Sequence, residues 1–398
     1  MAILACATTG SVRRAEGPVA GVHSESGGRV KRVATVAYRP IAAPGADAAW
    51  LVDAVPQASW DQALAGAAVE LVGTLRSSDR LMSPAAMATA TARTGFPGAA
   101  RFGKTITTGG PPAGLVDNIL GTSGGRPVDV GLAKRAFADG MVLWVVAWAP
   151  HIVDMDPIPR SVNLDSSVML RVDRLTDGDA RLFVAPPDAP VRELSLTSGV
   201  ARWVGGFDVP GEYRFEVVSE EDGMGELALL FSVFADQQPQ AMPRATMVPT
   251  ESADPRKAEA WLFEQLNAMR IDHGLHPVRP FPLFDQFTRE HSALMGHTGL
   301  VAHSLPRHGT VADRAGNVTH PRAKHYQNVA AAPTASDALE MVVLSPAHLQ
   351  NLLCGSCTHV SIGASLEPVL DRIPRLFVTW ELLEFPLGAP QEIDHYNR

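Results

Sequence analysis

Two histidines near the end of the chain are the residues most able to do chemistry. His303 stands in the segment Val-Ala-His-Ser-Leu-Pro, and His348 stands in Ser-Pro-Ala-His-Leu-Gln-Asn-Leu-Leu. Between them lies Tyr-Gln-Asn-Val-Ala, in which Gln327 is the second residue. Neutral imidazole is a good ligand for Zn²⁺ and other divalent cations. We therefore take His303, Gln327 and His348 as candidate cleft residues and the two histidines as candidate metal ligands, which the fold would have to bring together.

The neutral amide of Gln327 weakens the case for metal catalysis. A catalytic zinc site has three protein ligands and a water, with a carboxylate as base or ligand. A carboxylate about 4 Å from a unit positive charge would contribute roughly 4 kcal/mol of attraction at an effective dielectric constant near 20. We expect hydrogen-bonded histidines or a metal-free ligand cleft, with a bound divalent metal as the alternative and no other cofactor. The neighbouring histidines, which include His291 and His325, are mostly expected at the surface.

The pair Cys354 and Cys357 forms a Cys-Gly-Ser-Cys motif directly after a predicted helix. A reactive Cys-x-x-Cys usually begins a helix, where the dipole lowers the thiol pKa. At a helix end the dipole opposes a thiolate, so the motif predicts a structural disulfide. Thiol-disulfide exchange through the same pair stays open as an alternative function.

The remaining cysteine, Cys6, follows Ile-Leu-Ala and resembles the end of a bacterial lipoprotein signal. The positive and hydrophobic regions of such a signal are missing, so we expect a translation start further upstream and lipidation of Cys6. A chance cysteine near the terminus is the alternative. A lipidated cysteine together with one disulfide would fit an oxidising envelope compartment.

Length and composition predict a globular protein of several domains. The chain has 398 residues, of which 46% are hydrophobic and 19% are charged, and its formal net charge is −8. This charge, with no run of Lys or Arg, argues against nucleic-acid binding. No apolar run approaches the roughly 18 residues of a membrane helix, so membrane contact is expected only through a lipid anchor.

The elements that would position these residues follow from hydrophobic periodicity. Helical spacing begins at Ser59, and further helices are predicted after Ser83-Pro84 and near residues 115–120, followed by strands at 128–133 and 142–148 joined through Asp139-Gly140. Residues 160–235 alternate with a period of two and predict an immunoglobulin-like sandwich. From Asp254-Pro255 the period is helical again, with helices near 283–295 and 335–344 and then strands at 359–365 and 376–383. Helices followed by antiparallel strands predict a layered α+β domain.

The last third of the chain resembles the bacterial branch of the CAP superfamily, the SCP-like extracellular domains. The matching segments are Asn-Ala-Met-Arg ending at Arg270, His-Ser-Leu-Pro at His303, and Ser-Pro-Ala-His-Leu-Gln-Asn-Leu-Leu at His348. The resemblance implies an αβα sandwich with a cleft that holds both histidines. Two departures are clear: the family's Gly-Glu-Asn-Ile is Tyr-Gln-Asn-Val here, and its tryptophan before Ser-Pro is Val342.

A repeated sequence pattern predicts a second copy of this fold near the start of the chain. Asn118-Ile-Leu-Gly-Thr-Ser, a strand, a turn and a strand ending at Trp148 repeat the order seen from Asn351 to Trp380. A chance match of common patterns is the alternative. The copy would be shortened and free of histidines at the motif positions.

These patterns together predict an α+β, multi-domain chain. We divide it into a leader or tether (1–34), an N-terminal α+β domain that is a degenerate CAP-like copy (35–153), an immunoglobulin-like sandwich (154–236), a linker (237–253), a CAP/SCP-like domain (254–389) and a tail (390–398).

The function predicted is that of a secreted or lipid-anchored bacterial envelope protein, more a binding or scaffolding protein than an enzyme. Its partners would be a small or extended ligand in the CAP cleft and an envelope polymer or protein on the sandwich. The enzyme alternative is a metal-assisted hydrolase acting on peptide or cell-wall material.

Overall fold

A computed structural model describes residues 4–8, 46–75, 84–98, 100–110, 112–174, 179–196, 200–221, 224–237, 254–305, 309–315, 323–367 and 375–385. The tail predicted at 390–398, nearly all of the linker predicted at 237–253 and most of the leader predicted at 1–34 lie outside these residues. The described part has the α+β composition that the sequence predicts.

The N-terminal unit alternates helices with strands. After β1 (Leu4–Thr8), which pairs elsewhere, the elements are α1 (Ala46–Ala54), β2 (Ala58–Trp60), α2 (Gln62–Thr74), α3 (Pro84–Thr94), β3 (Arg101–Thr107), α4 (Ala113–Ser123), β4 (Val128–Ala136) and β5 (Val142–Pro150). The helix predicted from Ser59 begins only at Gln62, because Asp61 caps it by accepting a hydrogen bond from the amide of Leu64 at 2.8 Å. The predicted hairpin of β4 and β5 is confirmed, whereas α1 and β3 were not predicted.

The central unit is a sandwich of two sheets around one core. Its strands are β6 (Val153–Met155), β7 (Ser161–Val162), β8 (Ser167–Arg174), β9 (Asp179–Ala185), β10 (Arg192–Leu196), β11 (Val200–Gly206), β12 (Gly211–Glu221) and β13 (Met224–Ala235). One sheet has the order β10-β9-β12-β13-β7 and the other β11-β8-β6. Phe215 and Phe231 stack in the core at 5.2 Å between ring centres. The Tyr213 hydroxyl bonds both the amide and the carbonyl of Val209, a contact typical of Greek-key sandwiches.

The C-terminal unit carries the candidate site residues. Its elements are α5 (Pro255–Asp272), β14 (Arg279–Pro280), a single 3₁₀ turn (Pro282–Phe284), α6 (Asp285–Thr298), α7 (Val311–Ala315), β15 (Lys324–Ala332), α8 (Ala335–Leu344), α9 (Pro346–Leu352), β16 (His359–Glu367) and β17 (Arg375–Glu384). The predicted helices and the last two strands are confirmed within a few residues. The strand β15, which holds Gln327, was not predicted as a strand.

Helices cover both faces of the C-terminal sheet, whose order is β1-β15-β17-β16-β14. Ile362 and Trp380 point to the face packed against α5 and α8, while Phe377 on β17 packs against Met295 of α6. Gly363 allows the close approach of α6, because a Cβ there would lie 2.3 Å from the backbone nitrogen of Arg289. These layers position every candidate residue described below.

Apart from β1, the N-terminal and C-terminal sheets have the same topology. The N-terminal order is β2-β4-β5-β3, and the corresponding C-terminal order is β14-β16-β17-β15. In each sheet the first pair is parallel and the other two are antiparallel. Gly131 on β4 lies against the backbone of α2 as Gly363 lies against α6. Trp148 pairs with Val130 as Trp380 pairs with Ile362.

Residues at the very start of the chain extend the C-terminal sheet. β1 pairs antiparallel with β15, with Cys6 opposite Asn328. The sequence predicts a leader or tether here, and the pairing of β1 corrects that prediction for Leu4–Thr8. The difference has a physical reason: the outer edge of β15 offers backbone groups that an apolar segment such as Leu4–Thr8 can pair with.

Candidate functional site

The two motif histidines lie on opposite sides of the C-terminal sheet. The imidazole Nδ1 of His303 is 2.8 Å from Oε1 of Gln327, whereas the side-chain amide of Asn328 donates to the backbone carbonyl of His348 at 2.9 Å. Gln327 and Asn328 are successive residues of β15, so their side chains point to opposite faces. The prediction that one cleft gathers His303, Gln327 and His348, and that the two histidines share a metal, is therefore not met: the pleat of β15 separates them.

His303 belongs to a buried network on the α6 face, which we call the histidine–glutamate network: His303, Gln327, Glu381 and His325. Nε2 of Gln327 donates to Oε2 of Glu381 at 3.0 Å, and Nδ1 of His325 lies 3.1 Å from Oε1 of the same carboxylate. Glu381 is completely buried, and His303, the most exposed member, is 8% exposed. Arg314 closes the network on one side by donating to the carbonyl of His303 at 3.2 Å.

The carboxylate of Glu381 fixes the orientation of the Gln327 amide. An ionised carboxylate only accepts hydrogen bonds, so the NH₂ group of Gln327 must face it. The amide oxygen is then left to face His303, which donates from Nδ1. Gln327 therefore joins the imidazole of His303 to the carboxylate of Glu381 through one hydrogen bond to each. A glutamate at this position could not donate to Glu381 while ionised.

Sequence reasoning missed Glu381 and misplaced His325. We expected the neutral Gln327 to leave the cleft with less negative charge and most neighbouring histidines to lie at the surface, yet Glu381, His291 and His325 are all buried. A signal was present: Glu381 is the one charge in the interior of β17, between Trp380 and Leu382, whereas the other charges of the strand, Arg375 and Glu384, are its end residues. A buried charge requires a partner, and the partner stands on the neighbouring strand β15.

His348 belongs to a second group, the interdomain cluster of Glu216, Ser345 and His348. The Ser345 hydroxyl lies 2.6 Å from Nδ1 of His348 and donates to the Glu216 carboxylate, whose oxygens are 2.7 and 2.9 Å away. The amide of Ala347 donates to the same carboxylate at 2.7 Å. Glu216 comes from β12 of the sandwich, so the motif helix α9 is bonded to another unit of the chain.

The interdomain cluster is buried in an apolar contact. Ala347 packs with Phe183 and Val218 of the sandwich. Burial raises the pKa of Glu216 to about 7, while the hydrogen bonds from Ala347 and Ser345 and the charges of Arg181 and Arg214 act in the opposite direction. Arg214 also donates to the carbonyl of Val343 at the end of α8.

The order of the cluster differs from that of a serine hydrolase triad. In such a triad the histidine lies between the serine and the acid and takes the hydroxyl proton. Here the hydroxyl of Ser345 lies between His348 and Glu216, and all three residues are at most 1% exposed. This geometry orients side chains and does not activate a nucleophile.

A seam of amide hydrogen bonds explains the asparagines in the two motifs. The side chain of Asn351 on α9 donates to Oδ1 of Asn328 at 2.9 Å and to the carbonyl of Gln327 at 3.2 Å. Asn328 in turn donates to His348. The Tyr-Gln-Asn-Val segment and the Ser-Pro-Ala-His motif therefore occur together because their amides hold α9 on β15.

The loop after α9 is held by a disulfide and by a buried arginine. Cys354 and Cys357 are joined, with an S–S distance of 2.06 Å. Arg270 of α5 is fully buried and donates to the carbonyls of Leu352 at 2.7 Å and Cys354 at 3.0 Å, with further bonds to His276 and Cys357. The loop is thus anchored to α5 as well as closed on itself.

Among the residues that the structure describes, no three His, Cys, Asp or Glu side chains gather as a metal site. In the same part of the chain, no helix has both the length and the apolar character needed to cross a membrane.

Comparisons with known proteins give partial structural similarities. No family model matches the chain, and no curated protein matches it. An extracellular protein with an SCP domain from Bacillus anthracis str. Ames has 17% identity and a TM-score of 0.29, covering 56% of this chain and 68% of that one. A cysteine-rich secretory protein from Staphylococcus aureus subsp. aureus Mu50 has 11% identity and a TM-score of 0.24, covering 64% and 84%.

A third similar structure is an outer surface protein of Borrelia burgdorferi. It has 15% identity and a TM-score of 0.28, and the match covers 33% of this chain and 96% of that one. The three similar structures are therefore extracellular or surface proteins, and two of them are described as SCP-domain or cysteine-rich secretory proteins. TM-scores this low do not establish a shared fold.

Proposed function

We propose that this chain is an extracellular or envelope-anchored protein with a C-terminal CAP/SCP-like domain and that it works as a binding or scaffolding protein. The order of helices and strands and the motif segments at His303 and His348 support the assignment of the domain. The disulfide between Cys354 and Cys357 supports an oxidising compartment.

One observation favours a scaffold over a hydrolase: each motif histidine is hydrogen-bonded to another side chain of the same protein. Nδ1 of His303 is bonded to Gln327, and Nδ1 of His348 is bonded to the hydroxyl of Ser345. The two groups lie on opposite faces of the sheet, so they cannot act on one substrate atom. Their hydrogen bonds instead stabilise the packing of α6 and α9.

Contacts between units support a scaffolding role. The amide of Leu230 in the sandwich donates to the carbonyl of Pro97 in the N-terminal unit at 2.7 Å, and Arg160 donates to Ala92 and Arg93 of α3. On its other side the sandwich bonds α9 through Glu216. We propose that the N-terminal unit is a degenerate copy of the CAP-like fold and that the immunoglobulin-like sandwich joins the two copies.

The partners proposed are an envelope polymer or protein on the sandwich and a small or extended ligand on the α6 face of the CAP-like domain. Anchoring through a lipid on Cys6 remains part of the proposal. Processing at Cys6 would remove Leu4 and Ala5 from β1 and shorten the strand.

The experiment is a metal and activity measurement on the full chain. For a scaffold we expect substoichiometric zinc in the purified protein, an unchanged melting temperature when Zn²⁺ is added, and no hydrolysis of isolated peptidoglycan. Near-stoichiometric zinc that is lost in His303→Ala together with hydrolytic activity, but kept in His297→Ala at the exposed end of α6, would establish the hydrolase alternative instead.

A further inference from the structure

The interdomain cluster contains one hydroxyl hydrogen and two groups that could receive it. The Ser345 hydroxyl is within hydrogen-bond distance of both the Glu216 carboxylate and Nδ1 of His348. A hydroxyl has one hydrogen to donate and two lone pairs with which to accept. The choice between the two neighbours decides where the proton of His348 must lie.

Charge decides that choice in favour of Glu216. A hydrogen bond to a carboxylate is roughly twice as strong as one between neutral groups. The carboxylate is also held in place by the amide of Ala347, which can only donate. With the hydroxyl hydrogen directed at Glu216, the oxygen of Ser345 accepts from the backbone amide of His348 at 3.2 Å and can accept from Nδ1 only if Nδ1 carries a hydrogen.

We propose that Glu216 of the sandwich is a positioning residue for His348: acting through the Ser345 hydroxyl, it holds the imidazole in the tautomer protonated on Nδ1. The position of the proton on a motif histidine of the C-terminal unit is therefore determined by a side chain of a different unit. Glu216 and Ser345, which are hydrogen-bonded, lie 129 residues apart in sequence. The state of His348 depends on whether the two units are docked.

The surroundings of the cluster suit this role. Arg181 and Arg214 face Glu216 from β9 and β12 and supply positive charge beside the carboxylate. Phe183, Val218 and Ala347 close the contact with apolar surface. Burial keeps bulk water from offering Ser345 another partner, so the three-residue hydrogen-bond chain is a route by which docking acts on the imidazole.

The tautomer of His348 is independent of the proposed function. It holds whether the C-terminal domain binds a ligand, acts as a scaffold or does something else. A metal measurement that overturned the scaffold proposal would leave the position of the His348 proton unchanged.

The test is nitrogen-15 NMR of the histidine side chains in the full chain at about pH 8.5, where imidazoles are neutral and one ring nitrogen carries the hydrogen. The signal of His348 is assigned from its loss in His348→Gln. We expect the Nδ1–H tautomer of His348 to predominate by about tenfold, the effect of one hydrogen bond to a charged group.

In Glu216→Ala the Ser345 hydroxyl loses its acceptor, turns to Nδ1 of His348 and should shift the histidine to the Nε2–H tautomer. Glu212→Ala, on the same strand but bonded to Ser232 within the sandwich, should leave the His348 signal unchanged. An Nε2–H tautomer in the wild-type protein, or an unshifted tautomer in folded Glu216→Ala, would overturn the proposal.

Ser345→Ala gives a second test that does not depend on removing the buried acid. It breaks the link between Glu216 and His348, so we expect a mixture of the two tautomers. A His348 that stays fully in the Nδ1–H form without the hydroxyl would show that another contact holds the proton, and the assignment of Glu216 would be wrong.

Discussion

Gln327 is the residue on which the chemistry of the α6 face depends. It donates to Glu381 and accepts from His303, and both bonds are buried. Only a side chain with one donor end and one acceptor end can join a histidine to a carboxylate in this way. The amide that first suggested a weakened catalytic site is the group that allows Glu381 to be buried next to it.

Replacement of Gln327 by Glu should therefore destabilise the protein. The new carboxylate would lie about 3 Å from Glu381 in a buried site, and we expect a loss of about 2–4 kcal/mol in the free energy of unfolding near neutral pH. Two carboxylates this close share a proton, which raises their pKa in the folded state. The destabilisation of the variant relative to the wild-type protein should thus be smallest below about pH 4 and should grow as the pH rises. Urea unfolding of both proteins at several pH values measures it.

The matched control is Gln286→Glu at the exposed start of α6. Gln286 donates to Glu290 at 2.8 Å, so the substitution also creates a pair of carboxylates, but in solvent. We expect a change of less than about 1 kcal/mol there. Equal effects at both sites would mean that the Gln327–Glu381 contact is not buried as described.

At the scale of elements, the contact between α9 and β12 links two units through one acid. Ser345 is the N-cap of α9, and its hydroxyl caps the helix and bonds Glu216 at the same time. The pKa of Glu216 is raised to about 7 because the carboxylate is buried. Docking of the two units should therefore respond to pH.

The raised pKa of Glu216 sets the direction in which the free energy of unfolding changes with pH. An acid whose pKa is higher in the folded state contributes stability below its unfolded pKa, near 4.5, and this contribution is lost as the pH rises towards 7. The free energy of unfolding of the wild-type protein relative to Glu216→Gln should fall by about 3 kcal/mol between about pH 4.5 and pH 7.5. Urea unfolding of both proteins across this range measures the difference.

Ser345→Ala serves as the mechanistic control for that measurement. The Ser345 hydrogen bond lowers the pKa of Glu216, so its removal should raise the pKa further and move the loss of stability to higher pH. A pH dependence that is the same in wild type and in Glu216→Gln would mean that another group titrates and that Glu216 does not.

At the scale of the molecule, two sheets of the same topology flank the sandwich. In each, a glycine on the strand after the helices lets a helix backbone touch the sheet. A Cβ on Gly131 would lie 2.1 Å from the amide nitrogen of Ala65, and a Cβ on Gly363 would lie 2.3 Å from that of Arg289. If the two units are copies of one fold, these glycines are equivalent positions with the same packing role.

Gly131→Ala and Gly363→Ala should consequently have similar effects. Each forces a helix away from its sheet, and we expect losses of about 3 kcal/mol or more in the free energy of unfolding. Gly73→Ala, on α2 with no atom within 4 Å of the new Cβ, should instead stabilise by about 0.5–1 kcal/mol. Thermal and urea unfolding of the three variants test this, and tolerance of one strand glycine but not the other would argue against equivalent units.

The sequence alone predicted most of the elements, since helix caps and hydrophobic periods are local. Asp254-Pro255 marks the start of α5, and the apolar run around Trp380 marks β17. It did not predict β15, because Lys324–Ala332 ends in an apolar run that either a helix or a buried strand can contain. The repeated order of Asn, strand and Trp predicted a second copy of the fold, and the two sheets have the same order of four strands.

The sequence by itself determined which residue types are available: two motif histidines, an amide in place of an acid, a Cys-x-x-Cys pair and the fold class. Only the tertiary structure decided which of them meet. Facing across a sheet depends on strand register and pleat, and these put Gln327 and Asn328 on opposite faces and so separated His303 from His348. Partners such as Glu381 and Glu216 lie far away in the chain, and long-range packing, which has no local sequence signature, brought them to the histidines.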